Sequence, residues 1–354
     1  MHEHGATSVG SGSLMSLPGH HKPGGGFRNP WSADESRGFS SVVIWMAQRV
    51  AHRLAGRSRP QPTPDTFPRG IPHVAQPRAV RGQLLATWIG HSTFLLQIGG
   101  LNVLTDPIWS DRASPVGFAG PRRWRPPGVP LELLPPIDVV LQSHNHYDHL
   151  DRRTIEWLAD HCPSARWLVP LGVGAVVRRY GASDVTQLDW WETASVGELE
   201  IASTPARHFS ARGLRDRDAT LWCGWAVRWA DRRVFFAGDT GLHPEFAAIA
   251  QRLGPFDLTM LPIGAYDPRW FMKPVHMSPE EAAEACLVMR AVQPLGHPSV
   301  MAAMHWGTFK LTDEPMDEPP VRIAAAWSRH ALPVDDLWIP AHGETREIPS
   351  GSTR

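Results

Sequence analysis

The segment Ser143-His144-Asn145-His146-Tyr147-Asp148-His149-Leu150-Asp151 constrains this chain more than any other. It continues directly from IDVVLQS (137–143), an apolar run with the texture of a buried strand. Three histidines and an aspartate fall within six residues, a density that packing does not explain. His144 and His146 are two apart, so in an extended segment both imidazoles point the same way. Asp148 and His149 follow where the chain turns toward a helix, so they reach a second position. Imidazole nitrogen with carboxylate oxygen suits zinc, and also iron or manganese. The competing reading is a solvated histidine-rich turn.

Three more candidates stand just past apolar strands. His208 follows LEIASTPAR, Asp239 follows RRVFFAG and His305 follows SVMAAM. Strand ends on one edge of a sheet are where α/β proteins assemble sites, because loops converge there. Singly, each is an ordinary hydrogen-bonded residue. With the cluster, they make a set of seven donors.

Along the chain, residues 1–80 read as an N-terminal extension. Residues 1 to about 38 are rich in Gly, Ser, His and Pro and are expected to form a flexible arm. Residues 39–55 space Val42, Trp45, Met46, Val50 and Leu54 as an amphipathic helix. It either packs on the domain or lies in a membrane interface, and packing is the simpler expectation. Residues 56–80 read as a proline-rich linker. From 81 to 348 short strands give way to alternating strands and helices, an α/β domain. Helices are expected near 152–161, 172–180, 244–253, 279–291 and 319–330. Residues 107–136 form a long loop rich in Pro, Arg and Trp.

Composition excludes other classes. Thirty-five basic and 35 acidic residues cancel, so the chain lacks the bulk field of a nucleic-acid binder. Cys162, Cys223 and Cys286 are too few and too scattered for a disulfide framework or a thiolate zinc site, which suits reducing conditions. No apolar run approaches the roughly 18 residues of a spanning helix. The first residues lack the charged start and apolar core of a secretory signal, so a cytoplasmic, non-secreted protein is expected.

The motif HxHxDH, followed by a later His, an Asp in GDT and a final His, resembles that of the metallo-β-lactamase fold hydrolases. WIGHSTFLLQ, SHNHYDHLD, FFAGDTG, DPRWFMK and HWGTF are similar to the branch of N-acyl-phosphatidylethanolamine-hydrolysing phospholipases D. The likeness spans about residues 83–320, with an echo at FRNPW (Phe27–Trp31). It implies a four-layer αββα sandwich and two zinc ions, with manganese or iron as alternatives. His144, His146 and His208 would hold the first ion. Asp148, His149 and His305 would hold the second, and Asp239 would bridge. Asn145 stands where the flavodiiron reductases of this fold carry glutamate, which argues against redox chemistry. The implied reaction is attack of a metal-bridging hydroxide on phosphorus, releasing N-acylethanolamine and phosphatidic acid. The local charge at such a site favours an anionic substrate.

Around the metals, Asp148 and His276 are the catalytic candidates, His276 as an orienting or protonating group beside Ser278. Tyr266, Trp270 and Phe271 are candidates for the substrate cavity, with core packing as the alternative for each. Asp106 and His91 are read as supporting the ligands, and Asp151 as a helix cap. Arg122 and Arg123, with Arg112, Arg125, Trp109, Phe118 and Trp124, would meet phosphate headgroups at a membrane surface. A general arginine bias, 32 of 35 basic residues, weakens that reading. The expected partners are a phospholipid or other anionic phosphodiester, peripheral contact with the inner face of the membrane, no nucleic acid, and a second copy in a homodimer. A lactonase of the same fold is the nearest alternative. A non-catalytic metal-binding scaffold is the alternative of another class.

Overall fold

The computed structural model describes residues 18–31, 39–56, 59–213, 215–294 and 296–350. The first sheet is built from β1 (Leu84–Gly90), β2 (Thr93–Ile98), β3 (Leu101–Thr105), β4 (Val139–Leu141), β5 (Arg166–Pro170) and β6 (Asp184–Leu188). The second follows with β7 (Thr193–Val196), β8 (Leu199–Thr204), β9 (Gly224–Trp229), β10 (Arg232–Phe236), β11 (Leu258–Pro262), β12 (Val300–Met304) and β13 (Leu337–Trp338). The chain then returns, and β14 (Thr345–Glu347) pairs antiparallel with β1, so each sheet has seven strands.

Each sheet is mixed for the same reason. β1–β2–β3 and β7–β8–β9–β10 are antiparallel neighbours. The remaining strands of each run are parallel, which requires crossovers long enough for helices. α2 (Arg152–His161) and α3 (Gly174–Arg179) serve the first sheet, while α4 (Glu245–Leu253), α6 (Pro279–Ala291) and α7 (Glu318–Arg329) serve the second. α1 (Phe39–Leu54) and the one-turn α5 (Arg269–Met272) lie outside this scheme. The αββα sandwich is therefore as expected.

The period-2 alternation of strands decides which core each side chain joins. On β2, Phe94, Leu96 and Ile98 enter the core between the sheets, whereas Leu95 enters the layer beneath α2 and α3. On β4, Val139 and Leu141 face inward, and Val140 packs with Ile155, Leu158 and Val177. Short apolar strands buried on both faces result. β6 and β7 escape the sequence reading because they are partly exposed edge segments of mixed polarity.

Two expectations are corrected. Residues 18–31 belong to the presumed flexible arm but pack on the domain, with Phe27 in the main core; residues 1–17 and 32–38 lie outside the described residues. Asp151 stands at the N-cap position of α2, but its side chain makes no capping bond to the helix backbone. Its carboxylate accepts from the backbone N–H of Ser110 (3.0 Å) and the hydroxyls of Ser110 (2.8 Å) and Thr154 (2.6 Å), pinning the loop after β3. Among the described residues, no helix is long and apolar enough to cross a membrane.

Candidate metal centre

The extended stretch after β4 brings His144 Nε2 to 2.9 Å from His146 Nδ1. His208, from the loop after β8, places Nε2 3.1 Å from the same atom. A tetrahedral ion with metal–nitrogen distances of about 2.0–2.1 Å needs its ligand atoms roughly 3.3 Å apart, so this trio is close to a ligand face. A turn then carries Asp148 and His149 around to the other side. His149 Nε2 and His305 Nε2 each lie 3.4 Å from Asp148 Oδ2. Asp239 Oδ2 stands between the groups, 3.0 Å from His149 Nε2, 3.1 Å from His305 Nε2, 3.8 Å from His208 Nε2 and 4.0 Å from His144 Nε2. All seven residues expected from the motif converge.

The surroundings fix the tautomers. His208 Nδ1 is 2.9 Å from the Val275 carbonyl, which can only accept, so Nδ1 carries the proton and Nε2 presents a lone pair. His149 Nδ1 faces Asp106 Oδ2 at 2.7 Å, leaving its Nε2 lone pair toward the centre. Asp106 also accepts from Ser143 N (2.6 Å), Ser143 Oγ (2.5 Å) and Gln142 Nε2 (3.0 Å). His91 Nε2 reaches Asp148 Oδ2 at 2.9 Å. Carboxylate and imidazole partners behind metal-binding groups orient them in this way. Asn145 Oδ1 accepts from Ala211 N at 3.1 Å, tying the motif to the loop that bears His208.

The electrostatics divide the site. Burial, then neighbouring imidazoles, push His144 well below the usual histidine range. Burial and His208 lower His146 to about 3, and burial lowers His208 to about 4. These three are held neutral, the form in which an imidazole could bind a metal ion. Burial opposes charge on His149 and His305 as well, but Asp239 and Asp148 override it, holding His149 well above the usual range and His305 at about 9. Asp239 is pulled well down by those same histidines against its own burial. A metal ion would take the place of these protons.

The residues fit a metal centre on a further observation. His149 Nε2, His305 Nε2 and Asp239 Oδ1 are buried and make no well-formed hydrogen bond, the two nitrogens meeting carboxylate oxygen only as ion pairs. A buried group with no partner at all, such as Asp239 Oδ1, costs about 1–3 kcal/mol. A cation at the shared focus would compensate the carboxylate and the nitrogen lone pairs there. His276 joins the group: its ring lies 5.1 Å from that of His208 and 5.3 Å from that of His305, and its buried Nδ1 has no partner.

A cavity of about 320 Å³ opens onto these donors. His146, Asp148, Asp239 and His276 line its polar end; Phe209, Phe271, Met272 and Leu311 line its apolar walls. Val42 and Trp45 of α1 complete it. Trp45 stacks on Phe271 at 5.3 Å and donates to Asp313 at 2.7 Å, so α1 does pack on the domain. Arg217, also on the cavity wall, lies over Phe209 at 4.4 Å; its nearest carboxylate, Asp218, is 4.0 Å away.

Other candidates lie elsewhere. Tyr266 is buried with its hydroxyl on Glu318 (2.7 Å), outside the cavity. Trp270 lines a neighbouring groove of about 840 Å³ further along α1. Arg123 is buried and donates to the carbonyls of Ser110 (3.1 Å) and Ile108 (2.7 Å), which makes it a brace of its own loop. Arg122 is exposed on that loop, away from the cavity. Sequence reasoning missed Arg217, Phe209, Val42 and Trp45 as cavity residues. Arg217 sits in an arginine-rich loop, where no local pattern distinguishes one arginine from the next.

The profile of the family described as Beta-lactamase superfamily domain matches residues 101–306. An uncharacterized protein of Mycobacterium tuberculosis is 45% identical over 318 residues, covering 88% of this chain and 79% of that protein. The N-acyl-phosphatidylethanolamine-hydrolyzing phospholipase D 1 of Caenorhabditis elegans is 43% identical over 238 residues, which are 64% of this chain and 65% of the relative. Among solved structures, isothiocyanate hydrolase from Delia radicum gut bacteria shares the fold, with a TM-score of 0.58 at 22% identity over 75% of this chain and 99% of that one.

Proposed function

Because this chain belongs to the β-lactamase superfamily of metal-dependent hydrolases, we propose that it cleaves the phosphodiester of N-acylated phospholipids, with two zinc ions held by its seven His and Asp donors. In this reading His144, His146 and His208 hold one ion; Asp148, His149 and His305 hold the other; Asp239 serves both. Bound there, the ions would supply a nucleophile from water at neutral pH and compensate charge on the attacking and leaving oxygens.

The observation that carries the lipid reading is the cavity. Its floor is polar and ligand-bearing, and its walls are apolar, which suits an amphiphile cut at its headgroup. The chain's own groups then have definite tasks. Arg217 receives a phosphate oxygen, its guanidinium being held only by a 4.0 Å ion pair with Asp218. His276 offers its unpartnered Nδ1 to an oxygen of the substrate or leaving group. Phe209, Phe271 and Trp45 keep water from the apolar side. The relative from C. elegans, named for this activity, supports the reading.

The test is a screen of zinc-loaded protein against N-acyl phospholipids, generic phosphodiesters and lactones. Turnover of the N-acyl phospholipid is expected, releasing N-acylethanolamine. Arg217→Ala should raise KM for the phosphodiester roughly tenfold, in line with about 1.5–3 kcal/mol for a charged hydrogen bond, and leave a neutral lactone unaffected. Turnover of lactones alone would sink the reading and leave the lactonase in its place.

The same reading places the protein at a lipid surface. Val43, Ala47, Val50 and Leu54 recur at spacings of four, three and four, a single stripe of α1, and all are exposed, Leu54 at 83%. The opposite side of α1 walls the cavity, so the stripe brings lipid next to the site. Arg53 borders the adjoining groove and would meet an anionic headgroup there, whereas Arg49 in the same groove is paired with Asp313 and Arg59 with Asp267 and Glu318. Co-sedimentation with anionic vesicles at physiological salt is expected. Val50→Ser with Leu54→Ser should weaken it about tenfold or more, since burying each side chain contributes about 1.5–3 kcal/mol. Equal sedimentation of variant and parent would remove α1 from the contact.

A further inference from the structure

We propose that residues 18–31 form a strap whose Asn29 positions the metal ligand His208, a role beyond the site's own donors. The strap is a short hairpin: His21 and Phe27 form a bridge, Lys22 N donates to Gly26 O at 3.0 Å, and Arg28 N donates to His20 O at 2.9 Å. It grips the domain at several places, among them the loop between β8 and β9.

His20 Nε2 and His21 Nε2 each lie 2.7 Å from one oxygen of Asp189. Phe27 N donates to the Asp218 carbonyl at 2.8 Å, and Lys22 Nζ meets the Asp218 carboxylate at 3.1 Å. Gly26, at φ +79°, passes so close that an added Cβ would stand 2.6 Å from Asp218 O. Trp31 lies between Trp190 at 5.5 Å and His243 at 4.7 Å, nearly parallel to both. Between these anchors, Asn29 Nδ2 donates to the backbone carbonyl of His208 at 3.0 Å.

His208 is the only member of its trio that does not come from the motif after β4. His144 and His146 share one short extended segment, so their spacing is local. The place of His208 depends on how its loop is held. Val275 fixes the ring through Nδ1. Asn29 fixes the peptide through its carbonyl, from 179 positions upstream. The same loop presents Phe209 and Arg217 to the cavity, so the strap also sets that wall.

The inference rests on the two-ion reading above. The experiment is zinc binding to the full chain in competition with a chromophoric chelator, together with the visible spectrum of the cobalt-substituted protein. The wild-type titration separates the two ideas: no zinc bound by wild type removes the metal reading itself. With two equivalents bound, Asn29→Ala is expected to weaken one about tenfold or more and leave the other unchanged. Partners outside the ligand set typically contribute that factor. Asn29→Asp keeps the shape but turns an acceptor toward the His208 carbonyl, so it should weaken the same equivalent further and alter the cobalt spectrum of that position. Arg28→Ala, which removes only an exposed bond within the strap, from Arg28 Nε to the Gly19 carbonyl at 2.9 Å, should match wild type. If Asn29→Ala does not fold, Asn29→Asp carries the test. Wild-type affinities at both equivalents, or equal loss at both, would overturn the proposal, even with a lowered melting temperature.

Discussion

Asp239→Ala is expected to reduce hydrolysis by about 10³-fold or more and to deprive the protein of tightly held metal. Asp239 Oδ2 is the one donor atom near both groups, within 3.0–3.1 Å of His149 and His305 and 3.8–4.0 Å of His208 and His144. Its removal withdraws negative charge from a buried focus where four imidazoles converge. Charge stabilisation by a catalytic metal amounts to several kcal/mol, and about 1.4 kcal/mol is a factor of ten in rate. Metal analysis and turnover on one preparation check both halves. A variant that retained full metal content and more than a tenth of the activity would show that Asp239 is not the shared donor.

The second large effect is expected from a residue with no side chain. Gly264 follows β11, next to Ile263, whose N–H donates to the Met304 carbonyl at 3.0 Å. There the backbone after β11 meets the backbone after β12. A Cβ on Gly264 would stand 2.0 Å from the His305 carbonyl oxygen and 3.4 Å from Trp306 Cα. Backbone cannot move aside as a flexible side chain can. His305 is itself held at φ +61°, with its N–H on the His91 carbonyl at 2.9 Å. Gly264→Ala therefore has to displace His305. The expected cost is at the upper end of overpacking, about 3 kcal/mol or more, with a melting temperature several degrees lower and weaker binding of the ion assigned to Asp148, His149 and His305. Calorimetry and zinc titration decide it, and a variant indistinguishable from wild type in both would refute the argument.

The two predictions differ in where their reasons were legible. Asp239 announced itself by standing after an apolar strand in a chain that already carried the histidine cluster. Gly264 stood in an unremarkable stretch after a strand, and its importance comes from the His305 peptide, 41 positions away. The same contrast runs through the site. The pairing of His144 with His146 follows from the geometry of an extended chain, a local property. From sequence, Asp106 and His91 read as supporting residues. Their partners, Asp106 on His149 and His91 on Asp148, follow from the packing of the strand ends.

The misreadings share a cause. Arg123 looks like a headgroup ligand in a list of residues, but it is buried in the carbonyls of its own loop. Tyr266 looks like a cavity residue, yet its hydroxyl is on Glu318. The strap looked flexible because glycine and histidine carry no hydrophobic period. Its order comes from Asp189, Asp218 and the His208 carbonyl, none of which is a neighbour in sequence.

The four-layer sandwich rests on the family resemblance; by itself, the sequence determined the α/β class, the seven candidate donors and their places at strand ends. Those depend on periodicities of two and 3.6 residues and on short-range turns, which the chain encodes within a few positions of each site. Only the tertiary structure decided that α1 walls the cavity, that Arg217 rather than Arg122 or Arg123 faces it, and that an N-terminal strap reaches His208, a candidate metal ligand. These are contacts across tens to hundreds of residues, selected by shape and by the satisfaction of buried polar groups, and no local pattern contains them.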